Sequence, residues 1–145
     1  MNDMTNKNKA VLEWISLFPD IKKLFFNFGE VGKNSSTIVP VPSDSVVKTD
    51  ICGNKEKNYI FGVSVYKSFD VIIPFGTENL DAFNEVGEFM KWISEQNKIC
   101  NFPDFGEKCT IEKVECLENN PSASKAGELA KYFFQVKITY TELEE

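Results

Sequence analysis

The sequence predicts an α+β domain: a mainly antiparallel sheet, with room for a mixed pair, carrying two principal helices on one side in the order α-β-β-β-β-α-β-β. Three observations predict it. Apolar residues recur at helical spacing in two separate segments, one near the start and one past the middle. Between and after them lie short runs that alternate or are rich in β-branched and aromatic residues. Glycine, proline and asparagine punctuate those runs. With 145 residues, 42% hydrophobic and 26% charged, the chain fits one domain, 1–145, with one core.

Residues 1–8 read as a polar, flexible leader. Val11, Leu12, Ile15 and Phe18 then repeat at helical spacing and stop at Pro19, so the first helix is expected from about Lys7 to Phe18. Trp14 falls at the edge of its apolar face and reads as packing. Leu24 to Phe28 is a short strand, ending in a turn-bearing stretch from Gly29 to Ser36. Thr37 to Val41 is a second strand, and Pro40 and Pro42 make it an edge or an end there. Val46 to Cys52 and Lys57 to Phe69 flank Gly53-Asn54 as a hairpin. In its long strand Tyr59, Phe61, Val63 and Val65 take one face against Ile60, Gly62, Ser64 and Tyr66, and the first set should carry the helices.

The second helix is expected from about Glu78 to Asn97, with Thr77 as N-cap and a stripe of Leu80, Phe83, Val86, Met90 and Ile93 widened by Phe89 and Trp92. Glu78 and Asp81 near its start and Lys98 at its end suit the helix dipole. Strands follow at Cys109 to Leu117 and Leu129 to Thr141, separated by a loop containing Glu118 to Ser122. In the last strand Tyr132, Phe134, Val136, Ile138 and Tyr140 share a face. Cys109 and Cys116 are an odd number of residues apart, so on a regular strand they face opposite sides and cannot pair.

Composition argues against most chemistry. All 16 basic residues are lysines, outnumbered by 22 carboxylates for a net charge of −6, which disfavours nucleic-acid binding through a basic patch with arginine forks. With no histidine, the commonest general base near neutral pH is missing, as are the usual zinc ligand and the partner of a serine or cysteine nucleophile. Cys52, Cys100, Cys109 and Cys116 form no C-x-x-C pair. Met1 to Lys9 is polar and unlike a targeting segment, so the thiols are expected to be reduced in a cytoplasm. No apolar run approaches the roughly 20 residues that span a bilayer. Glu85 and Glu88 at i and i+3 read as a solvated helix face, as do Asp104 and Glu107 in their loop. Gly29 and Gly32 lack the lysine and strand–loop–helix setting of a phosphate cradle. Glu142 to Glu145 reads as an acidic tail. The residues alone therefore point to a non-enzymatic domain with no metal or cofactor and with surplus aromatic surface.

Several segments carry a family likeness. They are Glu78-Asn79-Leu80 opening a helix, Phe89-Met90-Lys91-Trp92-Ile93-Ser94-Glu95-Gln96-Asn97-Lys98 closing it, Asn101-Phe102-Pro103 after it, and Lys131 to Tyr140 as the final strand. With Ile38-Val39-Pro40-Val41-Pro42 upstream, the chain resembles the tail terminator, or tail completion, proteins of tailed phages and prophages of low-GC Gram-positive bacteria. The likeness runs from about Leu12 to Glu142. It departs from the pattern at Ala130-Lys131, where a small residue and an arginine often stand, and in the apolar loop Ile72 to Gly76.

The resemblance implies a virion structural protein. It would form a hexameric ring that caps the head-proximal end of a tail tube, stops polymerisation and offers the head-joining surface. Its partners would be other copies of itself, the tail tube protein, a sheath protein and a head connector, with DNA only as passing cargo and no membrane. It would reside in the host cytoplasm and then in the virion or a tail-like particle. An acidic lumen would let DNA slide. Interface residues are expected in the hairpin (Ile51, Lys55, Lys57), the apolar loop (Ile72, Ile73, Phe75) and the loop after the penultimate strand (Asn119, Asn120, Lys125). Another neck or connector ring, or a small-ligand binding module, are the alternative readings.

Overall fold

The computed structural model describes residues 3–19, 23–26, 35–41, 46–68, 78–127 and 129–143. These residues form helices α1 (Asp3–Ile15) and α2 (Glu78–Lys98). The strands are β1 (Lys23–Phe26), β2 (Ser35–Val41), β3 (Val46–Thr49), β4 (Lys55–Ser68), β5 (Cys109–Cys116), β6 (Ser122–Ala126) and β7 (Leu129–Glu142). The fold is the expected α+β class: one mixed, mostly antiparallel sheet of seven strands in the order β1-β2-β4-β7-β5. β3 pairs with β4 and β6 with β7, off that path. Among the described residues the one parallel pair is β1 with β2.

The centre is the antiparallel pair β4 and β7, each 14 residues long and paired along their whole length from Lys55↔Glu142 to Ser68↔Leu129. Period-two alternation places Tyr59, Phe61, Val63 and Val65 beside Ile138, Val136, Phe134 and Tyr132 on one face, all buried. Both helices lie on that face, as the alternation of β4 predicts. Phe18 stacks on Phe89 at 4.6 Å, Phe89 meets Phe134 edge-on at 5.5 Å, and Trp14 lies 5.3 Å from Trp92. Phe105, from the segment after α2, closes one end of the core against Tyr59 and Tyr140. The aromatic surplus is thus largely spent on a ring-to-ring core.

Several details differ from the sequence reading, each for a physical reason. α1 begins at Asp3, within the stretch read as a leader, because Lys7 and Asn8 have partners on the sheet. Trp14 is packed as expected, and its indole N–H also donates to the Asn101 carbonyl at 2.8 Å. On α2 the buried stripe is Ala82, Val86, Phe89, Met90 and Ile93, and Leu80 is 59% exposed, out of phase with it. Residues read as loop form the short strand β6, turned into β7 by Gly127 at φ 64. Pro40 sits in β2 beyond the last β1 pair at Ile38, where β4 is its only neighbour among the described residues, as the prolines suggest.

The cysteine parity is overturned by a bulge. The β5–β7 register shifts between Ile111 and Lys113, so Glu112 is an extra residue and the alternation resets. Cys109 and Cys116 then fall opposite Glu142 and Val136, and both pack against the core on the helix-bearing side. Neither is joined in a disulfide; roughly 20 Å of strand separates them. Thr77, Gly29, Gly32 and the loop Val71 to Phe75 lie outside the described residues.

Candidate functional site

Two features stand out by their chemistry: a polar seat under α1, and the flanks of the sheet. The seat is built where β4, β7 and β5 run together. Lys7 is 4% exposed, and its ammonium sits 3.4 Å from Glu142 and 5.0 Å above the Tyr140 ring. Lys57 reaches the other oxygen of the same carboxylate at 3.4 Å. Next to Lys7, Asn8 accepts a hydrogen bond from the Tyr59 hydroxyl.

Burial works to lower the Lys7 pKa, but Tyr140, Cys109 and Glu142 more than offset it and the ammonium is held above its ordinary value. Burial likewise pushes Glu142 up, and Lys7 and Lys57 together bring it below its ordinary value. Tyr59 is raised by burial and by Tyr140. The Cys116 thiol is pushed up to about 12 by burial with Glu118 adding to it, so it is a thiol, not a thiolate, near neutral pH. Every group in the seat is engaged with another, and the arrangement fastens a helix to a sheet. Among the described residues no three histidine, cysteine, aspartate or glutamate side chains gather as a metal ion needs.

The flanks are unequal. β5 is protected on its outer edge: Asn97 of α2 accepts a hydrogen bond from the Val114 N–H at 2.9 Å, the bulge at Glu112 breaks the ladder, and Lys113 and Glu115 carry charge. β3 has little such protection. All four of its residues are exposed, with Val46 at 44% and Val47 at 54%, and Lys48 is its one charge. The turn beyond it is firmly built. The Asp50 carboxylate accepts from Cys52 N and Asn54 N, both at 2.9 Å, the Asp50 N–H donates to the Asn54 carbonyl at 2.9 Å, and Gly53 takes φ 87. That turn presents Ile51 at 104% relative exposure, beside the exposed free thiol of Cys52. β6, on the other flank, is also an edge strand, with Ser122 to Lys125 all exposed. Between β5 and β6 the Glu118 carboxylate accepts the Gln135 N–H at 2.9 Å and carries the β7 ladder across the gap.

The expected interface residues therefore separate. Ile51 and Lys55 are exposed on the hairpin arm, whereas Lys57 is half-buried and tied to Glu142. Asn119 and Asn120 are exposed in the bend before β6, and Lys125 is exposed on it, across the sheet from the arm. Ile72, Ile73 and Phe75 lie outside the described residues. Sequence reasoning missed Val46 and Val47 as exposed apolar residues, because two adjacent valines before a turn signal a strand without saying that both its faces meet water. It also missed the role of Asp50, although Asp-x-x-Gly-Asn is turn chemistry visible in the sequence.

No helix among the described residues is long and apolar enough to cross a membrane. No protein-family model matches the chain, and no curated protein matches it.

Proposed function

We propose that this chain is a structural subunit of a homo-oligomeric ring, hexameric by its resemblance to tail terminators, that caps the head-proximal end of a phage or phage-like tail tube. The observation that carries the reading is the hairpin arm, whose firmly built turn holds Ile51 fully in water and whose strand leaves Val46 and Val47 exposed. Exposed apolar groups on a braced projection are disfavoured in a free monomer and suit a surface that another subunit covers. A ring also needs two different surfaces on each copy, because a heterologous contact must be answered by its complement on the far side. The arm on one flank and β6 on the other are such a pair. Tail tube protein, sheath protein and head connector are the further partners in this reading, with DNA passing through the ring without being held. Its place is the host cytoplasm during assembly and the particle afterwards.

Negative-stain micrographs of tails from cells with and without this protein test the role. Overlong or ragged upper ends in its absence, restored by adding the purified chain, support termination. Tubes of normal length with normal ends remove it and favour a connector ring or a ligand-binding module.

A further inference from the structure

We infer that copies of this chain join edge to edge, β3 of one copy pairing antiparallel with β6 of the next, so that the sheet continues across each subunit boundary. The inference rests on the ring reading above and specifies its interface.

Four observations carry it. First, among the described residues β3 pairs only with β4 and β6 only with β7, and the two strands are matched in length at four and five residues. An exposed strand edge is a template for another strand. Second, β3 and β6 lie on opposite flanks of the β4–β7 pair, so each copy offers one edge forward and a different one behind. That is the requirement for a head-to-tail contact.

Third, the strand senses agree. β3 is antiparallel to β4, β4 to β7 and β6 to β7, so β3 runs with β7 while β6 runs against both. A neighbour displaced along the sheet without reversal brings its β6 antiparallel to β3. β3 lies at the Glu142 end of β7 and β6 at the Leu129 end, which staggers successive copies along the strands, as closure of a tilted-strand barrel requires. Fourth, the side chains fit. Ser122, Ala123 and Ser124 are small and exposed, leaving room for Val46 and Val47 to bury, and the one charge on β3, Lys48, has Glu56 beside it at 4.0 Å. Of the two competing edges, β5 is closed by Asn97 and its bulge, and β1 is half-buried from Leu24 to Phe26, unlike the exposed β3 and β6.

Cysteine cross-linking tests the pairing. The variant carries Val47→Cys and Ser124→Cys, with the exposed native thiols removed by Cys52→Ser and Cys100→Ser. Within one copy these positions are separated by three strand spacings, roughly 14 Å across the sheet, and by about 30 Å more along the strands, while a disulfide needs Cα atoms within about 7 Å. Any bond is therefore between copies. Mild oxidation of the concentrated double variant, melting as the parent does, is expected to give a ladder of multimers ending in one closed species. Each single variant alone should stay uncross-linked, and a mixture of the two singles should give heterodimers only. A control pair, Val47→Cys with Lys91→Cys on the exposed face of α2, sets the level of chance collision.

A ladder no stronger than this control overturns the inference, as does a Val47→Cys chain that dimerises with itself. Micrographs of the same samples, with tail tubes present, separate the two claims. Rings on tubes without the cross-link leave the ring reading standing and remove this interface. Cross-linked open filaments keep the interface and remove the cap. A chain that neither cross-links nor binds tubes removes both.

Discussion

Replacing Glu142 by glutamine removes the carboxylate that Lys7 and Lys57 share, and the structure sets the size of the effect. Lys7 is left almost fully buried, with Tyr140 and the Cys109 thiol near it but without the carboxylate that balances its charge. An uncompensated, fully buried charge costs about 3–5 kcal/mol. Glu142 is 27% exposed at the side chain and both ion contacts are 3.4 Å, longer than an optimal charge-assisted bond, so the expected loss is smaller, about 2 kcal/mol. For a chain of this length that lowers the melting temperature by roughly 6 °C.

The pH dependence carries the diagnosis. The folded-state pKa of Glu142 is lowered, so its contribution is present above the unfolded carboxylate value and is lost as pH falls through the folded one. Lys7, whose folded value is raised, contributes below the unfolded ammonium value and loses that contribution only as pH rises through the folded one. Urea melts of parent and Glu142→Gln at a series of pH values should therefore differ fully near neutrality and converge in acid. A double-mutant cycle with Lys7→Met should show coupling of about 1 kcal/mol or more. Equal stability at neutral pH, or a gap unchanged into acid, would refute the reasoning.

Three further outcomes are expected. A Cβ at Gly62 would come within 2.6 Å of the Phe133 ring, so Gly62→Ala should destabilise by about 1 kcal/mol; in a Phe133→Ala background, measured by the same melts, that cost should vanish. Cys100 ends α2 at φ 57, with Asn101 N donating to the Gln96 carbonyl at 2.9 Å, so Cys100→Gly should raise stability by about 1 kcal/mol in thermal melts. Native-state alkylation read by mass spectrometry should label exposed Cys52 and Cys100 near neutral pH while Cys116, raised to about 12, reacts only on unfolding.

Much of this fold was legible from side-chain periodicity. Phe61 and Phe134 sit in strands whose alternation is clean over many residues, and both are buried where that alternation puts them. The same signal misled at Leu80, because it lies about half a turn round the helix from the true stripe and only tertiary packing decides which face of a helix end is covered. β6 was hidden because Ser122 to Ala126 has no apolar alternation of its own; its pairing with β7 follows from the turn at Gly127. The bulge at Glu112, which returns Cys116 to the face of Cys109, has no local sequence signature. Of the candidate surface, Ile51 was legible from its place beside Gly53-Asn54. The ion pairs that occupy Lys57 and bury Lys7 were not, since Glu142 is 85 and 135 residues away from them along the chain.

The central claim is that this chain ends tube growth. Its most direct test is the length distribution of tubes when purified tail tube protein polymerises with increasing amounts of this chain. The account predicts that mean length falls as the chain is added and that each shortened tube carries one ring, at one end. Unchanged lengths with no ring at either end would contradict it.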